Sequence, residues 1–252
     1  MDPRSNHQGS IPSPREADSR KEIDYLNYPT LKLLEEYGDG RHMPGSGSAS
    51  ALSGLIGLEL LKTVCKLTLR KPAYTSFHGQ LQFILDKLEF GYKPTLIKLF
   101  NDDVKIFETV SRLKMESDNA TDEKEKDQIN RLALEMQKDG THIPLEICKT
   151  CMEIIQYAIT IFDKGFPSAR GDSGVAISNL LAGISGSLFV VFLNLKNYKE
   201  SKWLVEMTRQ AETLIYKYDA LHKEAFKRVM NLYTENVDEN QLLLFSSDGK
   251  KQ

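Results

Sequence analysis

The stretch "PLEICKTCMEIIQYAITIFDK", residues 144–164, places Leu145, Cys148, Met152, Ile155, Ile159 and Phe162 three or four positions apart. That spacing gathers apolar side chains on one face of a helix. Pro144 suits the first turn, where its missing N–H goes unused, and Gly165 suits the stop. Working outward, the pattern recurs. Residues 198–235 predict a last long helix with Trp203, Met207, Leu214, Tyr218, Leu221, Ala225 and Val229 as its buried stripe. Residues 75–116 read as two or three helical pieces broken around Gly91 to Pro94. The segment "ESDNATDEKEKDQINRLALEMQKDGTH", 116–142, begins as a charged loop and becomes a polar helix. No run alternates as a strand would and no unit repeats at a fixed period. The expected class is all-α, a multi-helix bundle with long central buried helices.

Between Asp172 and Lys196 lie 23 residues without a charge, "SGVAISNLLAGISGSLFVVFLNL". Their length would span a bilayer, but Ser173, Ser178, Asn179, Ser185, Ser187 and Asn194 are too polar for a lone span, so a buried central helix is expected. Ser178, Ala182 and Gly186 recur every four residues, a row of small side chains that another helix backbone can approach. Ser50, Ser53, Gly54 and Gly57 repeat the device. The two helices are expected to pack on each other or across a homodimer seam.

The chain has 252 residues with 33 basic and 35 acidic side chains, which suits one soluble domain and gives nucleic acid no electrostatic hold. Residues 1–24 read as a flexible polar leader, 25–236 as the helical domain and 237–252 as a polar tail. The leader lacks the apolar core of a secretory signal. Three cysteines, Cys65, Cys148 and Cys151, argue against a disulfide framework and for a reducing cytoplasm. Cys148 and Cys151 share a helix face without a second ligand pair, so they read as core thiols. His7, His42, His78, His142 and His222 show no ligand spacing, and no metal is expected.

A loop remains, "RHMPGSGSASALSGLIGLELLKTV", 41–64, where glycines and serines crowd the start of an apolar helix. It reads either as a flexible link ending in an N-cap serine or as a place where backbone approaches an anionic ligand. No Lys-Ser/Thr follows at Walker A spacing and no strand precedes it, so neither nucleotide motif applies.

Three ordered stretches carry a family resemblance. "PGSGSASALSGLIGLELLKTVCKLTLRKPAY", 44–74, resembles the PGGGS-plus-small-helix opening and LTxGKKxY-like segment of the formiminotetrahydrofolate cyclodeaminase and methenyltetrahydrofolate cyclohydrolase family. "NDDVKIFETV", 101–110, is similar to its DDxxAF segment, and 143–181 to its VPL helix followed by KGNxNxxSDAGVA. The resemblance implies an all-helical cytoplasmic homodimer that binds a reduced folate, without nucleic acid, membrane or any cofactor beyond the tetrahydrofolate substrate. The implied reaction is hydrolysis of 5,10-methenyltetrahydrofolate to 10-formyltetrahydrofolate, or cyclising deamination of 5-formiminotetrahydrofolate. The absence of a formiminotransferase domain tilts the expectation toward hydrolysis.

A carboxylate beside the cationic one-carbon unit is implied, and Asp103, nearer the apolar face than Asp102, is the first choice. Lys71 and Asp172 complete the expected catalytic set, Asp172 doubling as an N-cap. Gly45, Ser46, Gly47, Ser48, Tyr74, Asp102, Gly174 and Asn194 are the expected substrate-binding residues. Ser46, Arg70, Pro72, Ala73, Gly171 and Val190 depart from the pattern, and Glu59 and Lys62 place an i,i+3 pair on a helix that is usually uncharged. A helical homodimer that binds folate or a partner without turnover is the alternative.

Overall fold

The computed structural model describes residues 24–41 and 43–248, with side chains to residue 236. All of the expected leader except Asp24, together with His7, His42 and residues 249–252, lies outside the described residues. The chain divides at Arg41 into two compact units. The first holds a 3-10 turn (Tyr25–Asn27) and helix α1 (Thr30–Gly38). Here the Lys32 ammonium lies 3.8 Å from the Tyr28 ring centre, and Arg41 pairs with Asp39 and Glu36.

The second unit contains α2 (Ser46–Leu69), a 3-10 turn (Pro72–Phe77), α3 (His78–Asp86), a π-helical turn (Lys87–Tyr92), α4 (Lys93–Asn119), α5 (Glu123–Gly140), α6 (His142–Lys164), a 3-10 turn (Pro167–Ala169), α7 (Arg170–Leu195) and α8 (Lys202–Asp248). No strand occurs among the described residues. The break expected around Gly91 to Pro94 is instead a continuous helix with one widened turn. Pro94 cannot donate to a carbonyl one turn back, and the π turn absorbs that defect.

Small residues set the centre of the bundle. A Cβ on Gly57 would sit 2.8 Å from the Ala176 carbonyl oxygen, and one on Gly183 would sit 3.0 Å from that of Ser50. These contacts run α2 and α7 antiparallel at very close approach. Cys151 of α6 fills the crossing, its Sγ 2.7 Å from the Cβ position of Gly54 and 3.0 Å from that of Gly183. Cys148 and Cys151 are therefore core thiols, and burial pushes the Cys148 thiol up to about 12 and raises Cys151 as well.

The two small-residue helices do pack on each other, but not through the whole predicted row. Gly186 meets the Ser50 hydroxyl, whereas Ser178 and Ala182 face outward. They belong to an exposed row of α7 that includes Val175, Phe189 and Leu193, with Phe189 72% exposed. Ile56 and Thr63 form a similar exposed line on α2. By length and composition the helical stretch Pro167–Leu195 would cross a membrane; its close packing on α2 and α6 is that of a bundle's central helix.

Glu59 and Lys62 pair as expected, and the π turn brings Glu89 to the same ammonium while Lys93 bonds Glu59. Helix α8 runs well past residue 235, to Asp248. Met207, Leu214, Leu221 and Ala225 of its expected stripe are buried, and Trp203 and Tyr218 half-buried, but Val229 is 60% exposed. Arg228 takes the inward position there, with its guanidinium on Asp163 at the end of α6, which turns Val229 outward.

Candidate active site

Helix α2 begins without a cap of its own. Gly45 is the N-cap and offers no side chain. The expected N-cap serine is absent, because the Ser48 hydroxyl donates to the Gly45 carbonyl at 2.8 Å and Ser50 donates back to Ser46. The unused N–H of Ser48 is met from another element: it donates to Asp103 Oδ2 of α4 at 2.7 Å. Asp103 thus does from 55 residues away what an N-cap carboxylate does locally. Gly47 makes room for it, since a Cβ there would lie 2.0 Å from Asp103 Oδ1 and 2.5 Å from Cγ.

Burial pushes the Asp103 carboxyl up to about 6, against the opposing pull of the Ser48 N–H. A carboxyl poised there exchanges a proton readily near neutral pH. Asp102, adjacent in sequence, points about 100° away around the helix and is ion-paired with Lys98 one turn back. Gly45, Ser46, Gly47 and Ser48 form the first turn under Asp103, and Asn194 of α7 accepts a hydrogen bond from Gln137 at 3.3 Å.

The other expected residues gather elsewhere. Lys71 follows the far end of α2, with its ammonium 4.7 Å from the centre of the Phe166 ring. Tyr74 meets the same ring edge-on at 6.5 Å, and the Phe166 N–H donates to Thr68 Oγ1 at 3.1 Å. Asp172 lies in the first turn of α7 beside this cluster, but Ala169 is the N-cap. Three residues form a 3-10 turn before α7, so the helix starts earlier than an Asp172 cap would allow. Gly174 lies one half-turn further on, its Cβ position 3.9 Å from Phe162.

Twenty-four residues of helix separate the two groups, a distance of about 36 Å at 1.5 Å per residue. Within one chain, then, Asp103 does not meet Lys71 or Asp172. A groove of about 790 Å³ between α6 and α8, lined by Met152, Gln156 and Lys217 among others, contains none of the predicted residues. Sequence reasoning missed Phe166 and Gln137. Phe166 follows Gly165 between two helices, outside any periodic pattern that would have marked it. Gln137 sits in a polar helix with no apolar pattern to orient it. Among the described residues no group of three His, Cys, Asp or Glu side chains is placed to hold a metal ion.

The fold and this geometry define an all-helical protein with a proton-exchanging carboxyl held over the start of a glycine-rich helix. A family model described as formiminotransferase-cyclodeaminase matches residues 29–213. The methenyltetrahydrofolate cyclohydrolase of Methylorubrum extorquens is 31% identical over 197 residues, which are 78% of this chain and 93% of that protein. The formimidoyltransferase-cyclodeaminase of Sus scrofa is 22% identical over 195 residues, 77% of this chain but 35% of that protein. The crystal structure of formiminotetrahydrofolate cyclodeaminase from Thermotoga maritima shares the fold, with a TM-score of 0.70 at 16% identity over 83% of this chain and 100% of that one. This chain belongs to the formiminotransferase-cyclodeaminase family.

Proposed function

We propose that this protein is an enzyme of folate one-carbon metabolism that hydrolyses 5,10-methenyltetrahydrofolate to 10-formyltetrahydrofolate, at sites shared between two copies of the chain. The observation that carries the chemistry is the Asp103 carboxyl, held over Gly47 and raised to about 6. Ionised, it stabilises the cationic methenyl carbon and takes a proton from the attacking water. Protonated by that step, it returns the proton to N5 as the C–N5 bond breaks, leaving the formyl group on N10. The tetrahedral intermediate's hydroxyl proton is released to solvent. Cyclising deamination of 5-formiminotetrahydrofolate is the second reading, favoured by the names of two relatives; there the same carboxyl serves the departing ammonia.

The homodimer rests on the uncharged outward row of α7, which includes Val175, Phe189 and Leu193, with Ile56 and Thr63 of α2 beside it. An uncharged surface of this kind marks an interaction site. Its two ends differ in charge: Asp102 and Asp103 lie at the head of α2, and Lys66, Arg70 and Lys71 at its foot. A two-fold axis across the middle of α2 sets head against foot twice. Each Asp103 then receives Lys71, Tyr74 and Asp172 from the partner copy, and one interface forms two sites. The protein so assembled is a soluble cytoplasmic enzyme with no nucleic-acid or membrane partner.

Complementation tests both parts. Asp103→Asn and Lys71→Met, each inactive alone, are co-produced; random pairing leaves one intact site in half of the dimers and restores about a quarter of wild-type activity. Zero activity in isolated heterodimers would place each site within one chain. A wild-type protein that binds folate but leaves both substrates unchanged would establish the non-enzymatic alternative.

A further inference from the structure

Gln137 Nε2 donates to Asn194 Oδ1 across 57 residues of sequence, joining the end of α5 to the end of α7. Both side chains are half-buried. Among the described residues, the pair leaves the Gln137 Oε1 acceptor and both Asn194 Nδ2 hydrogens without a protein partner. Such a pair offers an accessible acceptor next to an accessible donor.

Two independent registers place it relative to Asp103. A Cβ on Gly140 would sit 2.5 Å from Ile106 Cγ2, which fixes α5 against α4. The two helices run antiparallel, so Gln137 lies level with a residue six positions beyond Asp103, or about 9 Å along the axis. On α7, Gly186 meets Ser50 near the level of Gly47 and Asp103. Asn194 is eight residues beyond, about 12 Å from the level of Ser50 and so about 8 Å past that of Gly47, in the same direction. The amide pair therefore stands about 8 to 9 Å past the carboxyl, beyond the start of α2. Its backbone is firmly held: Thr141 donates both its hydroxyl and its N–H to the Gln137 carbonyl, at 2.9 and 3.0 Å. The Tyr198 hydroxyl donates to the Leu134 carbonyl at 3.0 Å.

Resting on the folate reading above, we propose that Gln137, acting with Asn194, recognises the amide edge of the pterin ring while the one-carbon unit lies at Asp103. That edge carries a 4-oxo acceptor beside N3–H and 2-amino donors. Asn194 Nδ2 donates to the oxo group, and Gln137 Oε1 accepts from the nitrogen donors. Gln137 thereby sets the specificity for a pterin over other bicyclic rings.

The test is a Gln137→Met variant, which keeps length and volume while removing the polar groups, with Asn194→Leu as a second variant. Steady-state hydrolysis of 5,10-methenyltetrahydrofolate is measured with calorimetric binding of tetrahydropterin and, separately, p-aminobenzoylglutamate. KM is expected to rise 10- to 100-fold, as when a site loses groups that hydrogen-bond its ligand, with kcat within about threefold. Tetrahydropterin binding weakens in parallel, while p-aminobenzoylglutamate binding holds. Unchanged KM and tetrahydropterin affinity in both variants, with the wild type active, would overturn this assignment and leave the function standing. A wild type that neither turns over folates nor binds tetrahydropterin would overturn both.

Discussion

Replacing Gly47 by alanine puts a methyl group where the Asp103 carboxylate now sits. The new Cβ would lie 2.0 Å from Oδ1, about 1.4 Å short of ordinary contact. Both are anchored on helices, so the carboxyl must rotate away and its bond to the Ser48 N–H is lost. That bond, a cap supplied from outside the helix, contributes about 1 to 2 kcal/mol. Alanine in a helix returns about 1 kcal/mol relative to glycine. Net stability therefore changes by about 1 kcal/mol or less, a few degrees in Tm. With Asp103 in its proposed role, activity responds on another scale, because an ångström of misplacement at a reacting group costs about 100-fold. The assay is decay of 5,10-methenyltetrahydrofolate absorbance beside thermal unfolding, with Gly79→Ala as control, since a Cβ at Gly79 meets nothing within 4 Å. Gly47→Ala with wild-type kcat/KM would refute the reasoning, because the carboxyl would then not depend on this close approach.

The raised Asp103 carboxyl also links stability to pH. Between about pH 4 and 6 the native state keeps a proton that the unfolded chain has lost, so stability falls as pH rises through that window. Asp103→Asn still accepts from Ser48 but does not titrate. It should match the wild type near pH 4 and exceed it by up to about 2 to 3 kcal/mol at pH 7, as read by urea unfolding; parallel pH curves would contradict this. In its proposed role as base, Asp103 should make kcat/KM fall about tenfold per pH unit below about 6, and a flat profile from pH 5 to 7 would assign the proton transfer elsewhere. If the proposed dimer forms through the exposed row of α7, Phe189→Asp gives a monomer in size-exclusion chromatography and abolishes activity, whereas an active monomer would exclude the shared site.

Most of the fold was legible because the bundle is built from periodic apolar faces. The α6 pattern and the small residues of α2 and α7 report on nearest neighbours: α2 and α7 do pack on each other, though of the α7 row only Gly186 makes the contact, while Ser178 and Ala182 face outward. Val229 was misread because its exposure depends on Arg228 reaching Asp163, an ion pair joining residues 65 apart. The π turn was misread as a break, since proline marks a defect in the hydrogen-bond ladder without saying how the chain absorbs it. At the site, the preference for Asp103 over Asp102 followed from helical geometry, and Asp103 is the inward residue. Its role as a cap for α2 was invisible, because no local signal connects a helix start to a carboxylate on another helix. Nor could a linear motif reveal that Asp103 and Lys71 stand at opposite ends of one helix.

The bond from Ser48 to Asp103 ties chemistry to the order of assembly. With no cap of its own, α2 has a first turn that stays frayed until α4 docks against it, and the same docking removes the carboxyl from water and brings it near neutrality. Maturation of the proposed catalytic carboxyl and completion of the bundle are thus one event. A nascent chain or a partly opened bundle carries an ordinary solvated aspartate there, with neither the raised proton affinity nor the placement that the proposed chemistry requires.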